Sequence, residues 1–185
     1  MGNKDKAADT ISTPQQGDGT PKRRAVFFDR DGTLNVDIHY LHRPEDFIWT
    51  PDAKEAIRYV NDAGYLAIII TNQSGVARGY FPERAVRSLY DWMNAELKEI
   101  GAHLDALYYC PHHPEARLPQ YRKTCTCRKP APGLVNKACE AYAIDKEKSC
   151  FVGDTETDML CAKNAGIRGI RYTGGSLLEL LQEKL

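Results

Sequence analysis

The chain has 185 residues, enough for one well-buried domain and too few for two comfortable ones. Its 25 basic and 25 acidic residues balance, so no overall field draws it to nucleic acid or to a membrane surface, and only a local basic pocket for an anion is left open. No apolar run approaches the roughly 18–20 residues of a membrane span.

Residues 1–22 are polar, rich in Gly, Ser, Thr, Asp and Lys, and lack the apolar stretch of a secretory signal. They read as a disordered tail, with residues 23–185 as a single domain. Ala25 to Asp29 is a β-prone apolar run that stops in Asp29-Arg-Asp31-Gly-Thr. Residues 36–50 show no helical period and read as a loop or short hairpin. A helix opens at Pro51-Asp52, puts Ala53, Ala56, Ile57 and Val60 on one face and ends at Gly64. Tyr65 to Thr71 is a second buried strand.

From Pro82 a longer helix aligns Val86, Leu89, Met93, Leu97 and Ile100 and stops at Gly101. Leu104 to Cys110 is a third strand, and residues 111–130 form an insertion rich in Pro, His and Cys. A helix over 132–143, a strand from Ser149 to Val152, a helix over 156–165 and a last strand from Ile167 to Tyr172 complete the pattern. This alternation predicts a three-layer, Rossmann-like parallel sheet with helices on both faces. Ligands of such sheets bind at the carboxyl ends of the strands. Asp29, Asp31, Thr71, Cys110 and Asp154 all fall there.

Two acids as close as Asp29 and Asp31 repel, so the pair calls for a metal or for opposite protonation states. Either suits phosphoryl transfer: Asp29 can attack phosphorus while Asp31 passes the proton. An Asx-type turn is the plainer alternative. In Phe151-Val-Gly-Asp-Thr-Glu-Thr-Asp158, Asp154 lies at another strand end and suits Mg²⁺ as a hard oxygen ligand. Asp158 falls in a first helical turn, where an acid also favours the helix dipole. Thr71-Asn-Gln-Ser-Gly75 is either an anion cradle or an ordinary polar turn.

Cys110, His112, Cys125 and Cys127 match a closed tetrahedral zinc site, with His113 a possible substitute for His112. The alternative, a Cys125–Cys127 disulfide, would be strained. Zinc would fold a loop that has no core and fix Arg128 and Lys129 beside the site. Cys139, Cys150 and Cys161 read as core residues. Metal-binding thiols point to a reducing compartment, and the cytoplasm is the expected location.

Together these segments, from about residue 24 to 173, resemble the haloacid-dehalogenase (HAD) superfamily of phosphotransferases. Asp29-x-Asp31-Gly-Thr matches its first motif, Thr71 its second, Lys129 its third and Gly153-Asp154-x-x-x-Asp158 its fourth. Within the superfamily the pattern is most similar to the bacterial heptose-bisphosphate phosphatases, which supply nucleotide-activated heptose. The segments Asp29 to Asn35, Thr71 to Gly79, Cys110 to Pro114 and Cys125 to Pro130 carry that similarity.

The resemblance implies Asp29 as nucleophile, Asp31 as acid and base, and Mg²⁺ on the Asp29 carboxylate, the Asp31 carbonyl and Asp154. Thr71 and Lys129 would stabilise the phosphoryl group, and Arg128 would bind the rest of a sugar bisphosphate. Asp37, Ile38, His39 and Tyr40, with Thr71, Asn72, Gln73 and Ser74, would line the sugar pocket. A structural zinc loop would replace a large cap domain, and the enzyme is expected to be a monomer. Thr155 departs from members that have lysine there.

A histidinol-phosphate phosphatase of the same superfamily is the nearest alternative. Arg128 and Arg78 favour an anionic bisphosphate over that cationic substrate. A receiver domain would share Asp, Thr and Lys at the strand ends but would have no use for Asp31. A zinc-dependent binding module would leave Asp29 and Asp154 unexplained.

Overall fold

The computed structural model describes residues 21–185; the expected tail, residues 1–22, lies outside these except for Pro21 and Lys22. The apolar runs form strands β1 (Ala25–Phe28), β2 (Leu66–Asn72), β3 (Ala106–Cys110), β4 (Cys150–Gly153) and β5 (Arg168–Arg171). The helices are α1 (Ala53–Asp62), α2 (Ser74–Arg78), α3 (Glu83–Lys98), α4 (Gly133–Tyr142), α5 (Glu156–Ala165) and α6 (Leu177–Lys184). Every strand pair is parallel, in the order β3-β2-β1-β4-β5. The expected three-layer α/β sheet is therefore present.

Side chains alternate across a strand, and β1 feeds two cores. Val26 and Phe28 pack with Ile57 and Val60 of α1, Leu89 and Met93 of α3, and Leu177 and Leu181 of α6. Ala25 and Phe27 pack on the other face with Leu134 and Val135 of α4 and Cys161 and Ala162 of α5. Cys139, Cys150 and Cys161 are buried, as the sequence suggests. A slip of β1 by one residue would turn Val26 and Phe28 to the opposite face and carry the Asp29 carboxylate away from its Lys129 partner, so both the core and the acid oppose it.

The strand order reverses at β1: the chain builds outward through β2 and β3, then places β4 on the other side of β1. The crevice at such a reversal is where these sheets bind ligands. Asp29 follows β1 and Asp154 follows β4, so both acids reach it.

Two helices differ from expectation. The turn after β2 is helix α2, closed by Gly79 in the left-handed region at φ 77°. Beyond β5, Ser176 caps α6 by accepting from the Glu179 N–H, and α6 buries Leu177 and Leu181. Residues 36–50 are irregular, with a 3₁₀ turn at Pro44–Asp46 and an antiparallel bridge from Asn35 to Trp49. Among the described residues no helix is long and apolar enough to cross a membrane.

Candidate active site

At the end of β1 the Asp29 N–H still donates to the Val152 carbonyl at 2.9 Å, so the nucleophile candidate is held by the ladder. The chain then turns at Gly32, whose φ of 85° favours glycine and whose missing Cβ leaves room for the Asp154 carboxylate. Gly153 makes similar room for the side chain of Asp158. As a result Asp29, Asp154 and Asp158 each bring a carboxylate oxygen within 4.8 Å of the others.

Lys129 enters this cluster from the insertion. Its Nζ lies 2.7 Å from Asp29 Oδ1 and 2.6 Å from Asp158 Oδ1, and donates to the Ile70 carbonyl at 3.0 Å. All three charged residues are buried. Asn72 holds the backbone beneath: its Oδ1 accepts from Lys129 N–H at 3.0 Å and its Nδ2 donates to the Lys129 carbonyl at 3.2 Å. Asp158 is held by Thr155, whose hydroxyl and N–H both donate to its Oδ2, in a capping box that opens α5. Asp158 thus positions the lysine and also caps the helix.

Burial, reinforced by Asp158 and opposed by Lys129, raises the Asp29 carboxyl to about 7. Asp154 is raised as well, chiefly by burial. Burial also opposes the charge on Lys129, but Asp29 and Asp158 outweigh it and hold its pKa above the usual value. Three carboxylates around one ammonium leave a surplus of negative charge, which is the donor set and charge that a hard divalent cation such as Mg²⁺ fits.

Asp31 points elsewhere. Its oxygens accept from Arg30 Nη2 at 2.8 and 2.9 Å, from Asn35 Nδ2 at 3.2 Å and from Gln73 Nε2 at 3.0 Å. Arg30 is buried and also donates to the Leu41 carbonyl at 2.9 Å, tying the 36–50 loop to the turn. No local pattern marks this role for Arg30, because the Leu41 carbonyl it holds lies across a loop. Gln73 donates in addition to Thr71 Oγ1 at 2.9 Å, linking the two strand ends.

A cleft of about 310 Å³ opens over these groups, lined by Asp29, Asp31, Asp37, Thr71, Asn72, Arg128, Lys129, Pro130, Thr155, Thr157 and Asp158. A second chamber of about 220 Å³ shares Asp31, Asp37 and Asn72 with it and adds His39, Tyr40, Gln73, Ser74 and Gly75. All but one of the residues expected to bind substrate line one or both chambers. Ile38 does not: it is 45 % exposed and belongs to neither lining. Only the resemblance, which implies the whole span from Asp37 to Tyr40, puts Ile38 in the pocket.

In the insertion, the sulfur atoms of Cys110, Cys125 and Cys127 lie 3.1–3.5 Å apart, and His112 Nδ1 is 3.3 Å from Cys127 Sγ and 3.7 Å from Cys110 Sγ. These separations far exceed the roughly 2.05 Å of a disulfide and approach the S···S spacing of about 3.8 Å around a tetrahedral zinc with 2.3 Å bonds. All four ligand atoms lie within 4.8 Å of one another. Cys110 and Cys127 are hydrogen-bonded at 3.1 Å, and that contact lowers the Cys127 thiol to about 5. His113 instead accepts from the Glu115 N–H, leaving His112 as the nitrogen donor of the set. The residues fit zinc. The cluster lies just before Arg128, whose Nη1 donates to the His112 carbonyl at 3.3 Å.

Fold and site define a HAD-type phosphohydrolase, and comparison with known proteins agrees. A family model described as HAD-hydrolase-like matches residues 126–183. A D-glycero-beta-D-manno-heptose-1,7-bisphosphate 7-phosphatase of Rhodopseudomonas palustris is 46% identical over 154 residues, 83% of this chain and 86% of that protein. A D-glycero-alpha-D-manno-heptose-1,7-bisphosphate 7-phosphatase of Photorhabdus laumondii is 42% identical over 146 residues, 79% of this chain and 80% of its own. The crystal structure of D,D-heptose 1,7-bisphosphate phosphatase from B. bronchiseptica, complexed with magnesium and phosphate, superimposes with a TM-score of 0.74 at 30% identity, covering 86% of each chain. The chain belongs to the family of the D-glycero-D-manno-heptose-1,7-bisphosphate 7-phosphatases and is a phosphoric monoester hydrolase.

Proposed function

We propose that the enzyme removes the 7-phosphate of D-glycero-D-manno-heptose 1,7-bisphosphate through an aspartyl phosphate, in the supply of nucleotide-activated heptose. The observation that carries this reading is the placing of Asp29 at the sheet reversal, bound to Lys129 and facing a cleft that continues into a second polar chamber. A carboxylate oxygen of Asp29 forms the new bond to phosphorus as the bond from phosphorus to the sugar oxygen breaks. The leaving alkoxide takes a proton from Asp31. Asp31 then takes one from water, whose oxygen attacks phosphorus and frees Asp29 and inorganic phosphate.

For this, Arg30, Asn35 and Gln73 must release one Asp31 oxygen when the substrate enters, because every partner that holds it is a donor. Lys129 and the Thr71 hydroxyl face the transferred oxygens. Asp29, the Asp31 carbonyl and Asp154 would hold Mg²⁺, which would supply positive charge to the phosphoryl group, and Cys110, His112, Cys125 and Cys127 would hold a zinc that stiffens the insertion. Arg128 takes the rest of the substrate. Every residue in this scheme comes from one chain and from the domain 23–185, so a monomer suffices. Thiol ligands suit the cytoplasm.

Turnover of both heptose bisphosphate anomers and of histidinol phosphate, with Mg²⁺ present, tests the assignment. A clear preference for histidinol phosphate would overturn it.

A further inference from the structure

We propose that Arg78 is a second cation for the phosphate of the substrate that does not react, and so helps set the preference for a bisphosphate; this rests on the substrate reading above. Helix α2 begins with Ser74 and Gly75 on the wall of the smaller chamber and ends at Arg78. The Arg78 guanidinium carbon lies 5.9 Å from the ring centroid of Tyr40, which lines the same chamber. Tyr40 is held there at some cost. Both it and His39 adopt left-handed φ values, 57° and 59°, that non-glycine residues avoid unless their surroundings impose them.

The helix is also fixed to the zinc-bearing insertion, since the Leu118 N–H donates to the Ala77 carbonyl at 3.0 Å. Arg78 therefore sits where the 36–50 loop, α2 and the insertion meet, beside Tyr40 of the smaller chamber's wall.

Arg78 meets the Tyr40 ring but, unlike Arg30, Lys129 and Arg128, it makes no hydrogen bond to a carboxylate or carbonyl among the described residues. Arg30 is spent on Asp31 and Leu41, Lys129 on Asp29 and Asp158. Among the described residues Arg78 forms no ion pair with a carboxylate, and its Nε is buried with no acceptor. A buried N–H left unpaired is costly, and a guanidinium is shaped to meet phosphate oxygens with two N–H groups at once. A phosphate carrying close to two negative charges supplies both the acceptors and the charge that the protein leaves out.

The test is the ratio of kcat/KM for heptose 1,7-bisphosphate to that for heptose 7-phosphate, measured on the full chain for wild type, Arg78→Ala and Arg78→Lys. Loss of one charge-assisted contact lowers this ratio about ten- to hundredfold in Arg78→Ala, through KM for the bisphosphate, with Arg78→Lys in between. If Arg78 only braces Tyr40, both substrates fall together and the ratio holds, which overturns the assignment to Arg78 alone. A wild-type enzyme with no preference for the bisphosphate overturns the substrate reading, and this inference with it.

Discussion

Lys129 and Asp29 form a buried ion pair at 2.7 Å, and the same ammonium is held by Asp158 at 2.6 Å. Removing one member of a buried pair costs about 3–5 kcal/mol, because the partner is left charged without water. Asp29 is already raised to about 7, so it can escape part of that cost by taking up a proton. Lys129→Met is therefore expected to lose about 3 kcal/mol in urea unfolding and at least about a hundredfold in phosphate release. Unchanged stability would show that the pair does not hold the site together.

Asp29→Asn separates chemistry from structure. The amide oxygen can still accept from Lys129, so folding and zinc content should survive, whereas an amide cannot form the acyl phosphate. Activity is expected to fall below about a hundredth of wild type, beyond the loss of one ordinary contact. Acid-quench trapping of phosphate on wild type but not on the variant would support the intermediate, and a variant above that level would rule out attack by Asp29.

The strands, the strand-end acids and the clustering of the thiols were legible in the sequence because each is a local pattern: apolar runs that stop at an acid, and cysteines in closely spaced pairs. Helix α2 was not, since five residues beginning Ser74-Gly75 look like a turn and are held as a helix by the walls around them. Leu177, Leu178, Leu180 and Leu181 do carry a helical spacing, which marks α6 once the chain beyond the last strand is read. Arg30 and Glu83 stayed hidden for another reason. Their partners are Leu41, Tyr109 and Tyr121, contacts that only the folded chain creates.

Arg30 bears on how Asp31 works. Its Nε and Nη2 grip the Asp31 carboxylate together while Nη2 also reaches the Leu41 carbonyl, a two-nitrogen hold that a lysine, as a point charge, lacks. Arg30→Lys should lower kcat about ten- to hundredfold by misplacing Asp31, with a smaller change in KM. Amide hydrogen exchange near Leu41 should quicken in the same variant. A fall in kcat without faster exchange would mean that Arg30 acts on Asp31 alone and does not hold the loop.

The insertion is anchored twice, and the two anchors can be separated. The first is the Cys110, His112, Cys125 and Cys127 cluster. The second is Glu83 of α3, which accepts from Tyr121 at 2.8 Å and from Tyr109 at 2.6 Å, joining the insertion to α3 and β3. Stripping zinc should free residues 123–128, and with them Arg128 and Lys129, while residues near Tyr121 keep part of their protection. Tyr121→Phe alone removes one hydrogen bond, about 1 kcal/mol, and should leave zinc content unchanged. Combining Tyr121→Phe with zinc removal should expose residues 111–128 as one unit in hydrogen exchange or limited proteolysis. If zinc removal alone already exposes all of them equally, Glu83 is no anchor; if elemental analysis finds no zinc in the wild-type protein, the thiol cluster is not the first one.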